Sequence, residues 1–217
     1  MIFNINKESF QGFGRISSAL AVFSSLQFFF FTTIAVFFYP GGYLYFGYTF
    51  SSLGRVFSEA NGAPNNISSI LFMLALFISA FTLSPFFVGF RSLFKESKNE
   101  RILSILGSFF GIIACLFLIG VAIYPTDTQS SIHGIFARLM FLSFAIGIFI
   151  YSIAIIINKN FSSNYAIPGF FIFFLVPLYV FDFAGLGTAF VQKIIVYSFI
   201  FWALIQATQL WSKTDTK

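Results

Sequence analysis

Six apolar runs of membrane-crossing length leave this chain little choice of fold. They lie at about 16–38, 67–90, 102–124, 135–157, 167–184 and 189–211, with short polar segments between them. A helix rises about 1.5 Å per residue, so ~20 apolar residues cross a hydrocarbon core ~30 Å thick. Inside that core each backbone N–H and C=O must find a partner within the protein, and a helix supplies one for every residue. The expected fold is all-α: one transmembrane domain over residues 1–217, an integral membrane bundle of six helices. Composition agrees. Charged residues are 9% of the chain and aromatic residues 22%. A soluble domain carries about 25% charged residues, so lipid is the expected solvent. The run at 16–38 is longer than the ~7–15-residue apolar core of a signal peptide and lacks a small-residue cleavage site, so it reads as a retained helix. Pro85 should kink the second run and Pro177 should break the fifth.

The basic residues orient the bundle. With the N-terminus in the cytoplasm, the inner segments hold Lys7, Arg15, Arg91, Lys95, Lys98, Arg101, Lys159, Lys213 and Lys217, whereas the outer ones hold only Arg55, Arg138 and Lys193. This positive-inside bias places both termini in the cytoplasm. It also accounts for the net charge of +5 without nucleic acid as a partner. The abundance of Phe, Ile, Asn and Lys suggests an AT-rich genome and a prokaryotic cell membrane.

Outside the inner segments, the ionisable residues gather at one depth, with Ser52 beside them. Ser52, Arg55 and Glu59 lie in the first outer loop. Asp127 and His133 lie in the second, and Arg138 just inside the fourth run. Asp182 is near the outer end of the fifth run and Lys193 at the start of the sixth. Ionisable groups near hydrocarbon cost about 2.5–3.5 kcal/mol each on insertion scales, so they pair or face a wet cavity. Two readings stay open: a closed salt-bridge network, or a polar pocket opening outward. Such a pocket takes a lipid headgroup or a small polar solute.

His133 is the only histidine. It can act as general base, proton relay or pH sensor, with Asp127 orienting it. Equally, Asp127 or Ser130 can cap the fourth helix, with His133 in its first turn. A nucleophilic Ser–His–Asp set is formally available through Ser51 or Ser52, although no G-x-S-x-G elbow accompanies it. Catalytic zinc takes three protein ligands. One histidine and a lone Cys115 do not provide them, so neither a metal nor another cofactor is expected. G-S-F-F-G at 107–111 reads as a small-xxx-small packing motif, and Gln27, Gln206 and Gln209 as hydrogen-bonding groups between helices.

Several short motifs recur in a familiar order: S-S-L-G-R at 51–55, N-N-I-S-S-I-L-F at 65–72, Y-P-T-D at 124–127 and H-G-I-F-A at 133–137. In these the chain resembles the multipass membrane proteins grouped as domain of unknown function 998. Its layout is similar to that of Frag1/DRAM-type six-helix proteins. The resemblance implies that Ser52, Leu53, Gly54, Asp127, His133 and Ala137 approach one another on the outer side. It implies no activity.

Together these readings lead to a multipass protein that binds or moves a membrane lipid headgroup or small polar solute around His133. Two alternatives stay open. One is a metal-independent enzyme acting on a lipid, with His133 as base, a hydroxyl or water in reach and Asp127 or Asp182 behind it. The other is a purely structural or assembly protein. The oligomeric state is not encoded in these features.

Overall fold

The structure is a computed structural model that describes residues 7–215. Seven α-helices follow in order: α1 (Lys7–Phe37), the short α2 (Phe50–Leu53), α3 (Asn66–Phe90), α4 (Lys98–Ile123), α5 (Ser130–Ile157), α6 (Ile167–Val180) and α7 (Ala189–Asp215). All but α2 belong to the six segments long and apolar enough to cross a membrane. The fold is therefore the expected all-helical six-span bundle, with no strand among the described residues.

Each spanning helix packs on the next. α1 meets α3, α3 meets α4, α4 meets α5, α5 meets α6 and α6 meets α7, which returns to α1 and closes the ring. Gln27 fastens α1 to α3, donating to the Ala75 carbonyl (3.1 Å) and the Ser79 hydroxyl (2.7 Å). It does not pair with Gln206, which donates instead to the Tyr165 carbonyl at the foot of α6. α4 and α5 approach each other backbone to backbone. A Cβ on Gly147 would lie 3.1 Å from the Gly107 carbonyl oxygen and the Gly111 nitrogen. Gly107 and Gly111 in turn face the rings of Tyr151 and Phe87. The motif at 107–111 is thus a packing surface. Phe23, Phe29, Phe30, Phe81, Phe109, Phe174 and Phe201 point outward, as side chains do when lipid tails are the solvent.

Several boundaries differ from the expected ones. α1 begins at Lys7, nine residues before the apolar run: this polar stretch has no proline, and Gly14 in it packs on Leu210 and Thr214 of α7. α4 begins at Lys98 rather than at 102. Ser97 caps it, its hydroxyl accepting from Glu100 N–H at 3.2 Å, and S-K-N-E is a capping-box spacing. α5 begins at Ser130, not 135, and α7 runs past 211 to Asp215. α6 stops at Val180, three residues after Pro177, instead of reaching 184. Asp182 follows in the left-handed conformation (φ 51°), held by its own carboxylate on Gly187 N–H at 2.6 Å. With 14 residues α6 covers ~21 Å. The preceding 3-10 turn, Ser163–Ala166, lengthens the segment.

The contact between α4 and α5 leaves no room for a side chain. Gly147→Val should cost about 1–3 kcal/mol of overpacking and lower the apparent melting temperature in detergent. Gly12→Ala, which meets open space, should hold or raise it, as alanine for glycine inside a helix does.

Candidate functional site

The loop from α1 to α3 folds back over one end of the bundle as a plug. It turns at Gly41 and Gly42, both with positive φ (81° and 88°), as glycine allows. It then forms α2 and a single bridge between Phe57 and Pro64. Buried Asn65 donates to the Leu53 and Arg55 carbonyls at 2.9 and 3.0 Å, and Ser68 donates to Leu53 at 3.1 Å. Gly54 has no side chain because the Phe72 ring takes that space: a Cβ there would sit 2.6 Å from it. Gln192, in the first turn of α7, accepts from Phe50 N–H at 2.8 Å.

Asp127 ties the second loop to the plug. Its carboxylate accepts from the backbone N–H of Val56 (3.2 Å), Phe57 (2.9 Å) and Thr128 (3.1 Å). Partial burial pushes this carboxyl up. The backbone donors and the nearby Arg55 more than offset that and hold it below the usual carboxylate range. Asp127 neither caps α5 nor orients His133.

His133 sits in the first turn of α5, 5% exposed. Its Nδ1 lies 2.6 Å from the Tyr124 carbonyl oxygen and its Nε2 3.0 Å from the Ser51 hydroxyl. A carbonyl only accepts, so Nδ1 carries the proton. In the neutral ring Nε2 then bears the lone pair and accepts from Ser51. A hydroxyl stands within reach of the base, but neither Asp127 nor Asp182 lies behind it. A backbone carbonyl holds that place.

The other expected site residues separate. Glu59 accepts from Ser52 Oγ at 2.8 Å and pairs with Arg55 at 3.8 Å. Lys193 is buried. It donates to the Tyr48 carbonyl, and the rings of Tyr43, Tyr45 and Phe50 surround its Nζ at 5.4, 5.0 and 5.2 Å from their centroids. Burial raises the Tyr43 phenol, so this box presents neutral faces to the cation. Arg138 is exposed on α5 and donates to Gly134 in its own helix. Asp182 serves only its own turn. Four of the eight residues, Ser52, Arg55, Glu59 and Asp127, share the plug's polar network, and His133 adjoins it through Ser51.

Beneath α2 lies a central cavity of about 110 Å³. Residues of α1, α3, α4, α5 and α7 line it, and Phe50 and Ser51 roof it. Among the described lining residues only Ser24, Ser25, Ser51, Ser79 and Gln192 are serine or amide; the rest are hydrophobic, including Leu118, Met140, Phe144 and Trp202. The Trp202 indole N–H has no hydrogen-bond partner among the described residues. No group of three or more His, Cys, Asp or Glu side chains lies together among them.

Residues 22–209 match a family model described as "Protein of unknown function (DUF998)". The chain belongs to this family. No curated protein and no solved structure matches it. For this DUF998 member the resemblance read from the motifs S-S-L-G and P-T-D…H therefore holds. The structure adds what each motif does. The first places Ser51 on His133, seats Leu53 (0% exposed) and makes room for Phe72. The second hangs the plug on Asp127. The Tyr124 carbonyl, Gln192 and Trp202 were absent from the expected site, and Ser51 entered it only as an alternative nucleophile to Ser52. Ser51 was within reach of sequence reading, since it, not Ser52, opens the Ser-x-Leu-Gly spacing.

The Asp127 clamp is directly testable. Its folded pKa is depressed, so its contribution is present above the ordinary carboxylate pKa of ~3.9 and disappears as pH falls through the lower folded value. Asp127→Ala should raise amide exchange at Val56 and Phe57 about tenfold, one hydrogen bond's worth. Hydrogen-exchange mass spectrometry at neutral pH reads this, and wild type should lose the same protection only at strongly acidic pH.

Proposed function

We propose that this protein binds a membrane lipid, with an apolar chain in the central cavity and the polar end beneath the plug. The observation that carries the reading is the chemistry of the cavity. Its walls are aliphatic and aromatic, and two of its polar residues, Ser51 and Gln192, lie at the plug end. A small polar solute would find few partners there, and an unsatisfied polar group costs about 2–7 kcal/mol when buried. A hydrocarbon chain coming from the bilayer gains little from the hydrophobic effect, because lipid tails are as apolar as the cavity. It gains by packing. An unfilled void of this size costs about 2–3 kcal/mol at ~24 cal/mol per Å³, and a chain that fills it recovers that amount. The Trp202 N–H offers a further donor to a polar atom. We place the plug on the outer face of a prokaryotic cell membrane and both termini in the cytoplasm, as the distribution of basic residues supports.

Native mass spectrometry of protein released from its own membrane tests the binding. Wild type should retain a lipid. Ala203→Phe, which fills the cavity from α7, should lose it while melting at an equal or higher temperature. Wild type that carries no lipid, and whose melting does not respond to added lysolipid, would refute the reading. Orientation is checked separately. Cys115 is buried, so Asn61→Cys introduces an accessible thiol at the plug, and a membrane-impermeant maleimide should label it on intact cells.

A further inference from the structure

We propose that Ser51 and His133 form a nucleophile–base pair that accepts an acyl group from a lipid ester bound in the cavity. The inference rests on the lipid-binding reading and names the chemistry of its polar end. Three observations carry it. The first is geometry: 3.0 Å between Nε2 and Oγ is within the hydrogen-bond reach expected of a nucleophile and its base. The second is the tautomer. The Tyr124 carbonyl at 2.6 Å keeps the proton on Nδ1, which leaves the Nε2 lone pair facing the Ser51 hydroxyl. Ser25, Ser84, Ser152 and Ser198 each give their hydroxyl to a carbonyl one turn back in their own helix. Ser51 gives its hydroxyl to a base. The third is position. Ser51 lies in the cavity roof, so an ester carbonyl at Oγ puts its hydrocarbon tail among Leu118, Val121, Met140 and Phe144.

The step balances without a metal or redox partner. Ser51 Oγ attacks the ester carbonyl as its proton passes to His133 Nε2. The tetrahedral adduct collapses, the C–O bond to the alcohol breaks, and Nε2 returns the proton to the departing alkoxide. The acyl group remains on Ser51 as an ester. Water then attacks that ester, with Nε2 again taking and returning the proton, and a free fatty acid leaves. Tyr124 holds the imidazole in the place where serine hydrolases use a carboxylate.

The test uses the full chain in lipid nanodiscs, with p-nitrophenyl decanoate as substrate and a long-chain fluorophosphonate as trap. The expected result is release of p-nitrophenol with a stoichiometric adduct that peptide mass spectrometry locates on Ser51. Ser51→Ala should abolish the adduct, and Ser69→Ala, at the same end of the bundle but outside the cavity, should keep it. His133→Gln should slow acylation by about 100-fold or more, the usual contribution of a general base. Should Ser51→Ala fold poorly, Ser51→Cys keeps a nucleophile of the same reach and should take the acyl group as a thioester. Native mass spectrometry on the same samples separates the two ideas. Wild type that keeps its lipid but forms no adduct, or an adduct that survives Ser51→Ala, overturns the pair and leaves lipid binding standing. Loss of both lipid and adduct overturns both.

Discussion

Water does not reach the hydrocarbon core, so a polar side chain there bonds to protein or stays unpaired. That constraint accounts for most of the polar placement in the bundle. Gln27 bridges α1 and α3. The Tyr151 and Ser108 hydroxyls lie 2.6 Å apart and 2.9 and 2.8 Å from the Phe87 carbonyl, so one donates to the carbonyl and the other is free to donate to its neighbour, which joins α5, α4 and α3. Asn158 reaches the buried Glu100 at 2.8 Å. With these bonds made, the helices close on one another through glycine contacts and stacked rings.

At the plug end the same constraint has a different outcome. Loop 38–65 is too polar to enter lipid and too apolar to float in water. It folds onto the bundle and takes its hydrogen bonds from α3, α7 and the loop before α5. Asp127 and Asn65 hold it from two sides, and Lys193 fills an aromatic box under Tyr48. The ionisable groups expected to make one cluster are therefore divided into separate tasks. Among the described residues they do not join in a single salt-bridge network. The cavity lies below the plug and is apolar, and His133 reaches it only through Ser51.

Much of this was legible in advance. The motif order tied S-S-L-G to P-T-D…H, and the structure brings those segments together. What stayed hidden was which atoms meet. Asp127 looked like a partner for His133 because six residues separate them in the chain. The 2.6 Å bond from the ring to the Tyr124 carbonyl leaves no place for it, and its oxygens are taken by loop amides. Arg138 and Asp182 shared a depth with the site but face elsewhere, since depth along a helix says nothing about direction around it. A backbone carbonyl that orients a ring has no sequence signature, and neither does an indole N–H left without a partner.

By itself the sequence determined the solvent, the number of spans and the ends at which the chain turns. Those depend on hydropathy and helix rise, which are local quantities summed along the chain. It also marked Gly107 and Gly111 as packing positions. Only the tertiary structure decided that the six helices close into a ring, that five of them line an apolar cavity, that α2 roofs it, and that Ser51 stands on His133. These depend on how helices rotate about their axes and where a loop lands, and both are set by contacts between residues as far apart as Ser51 and His133.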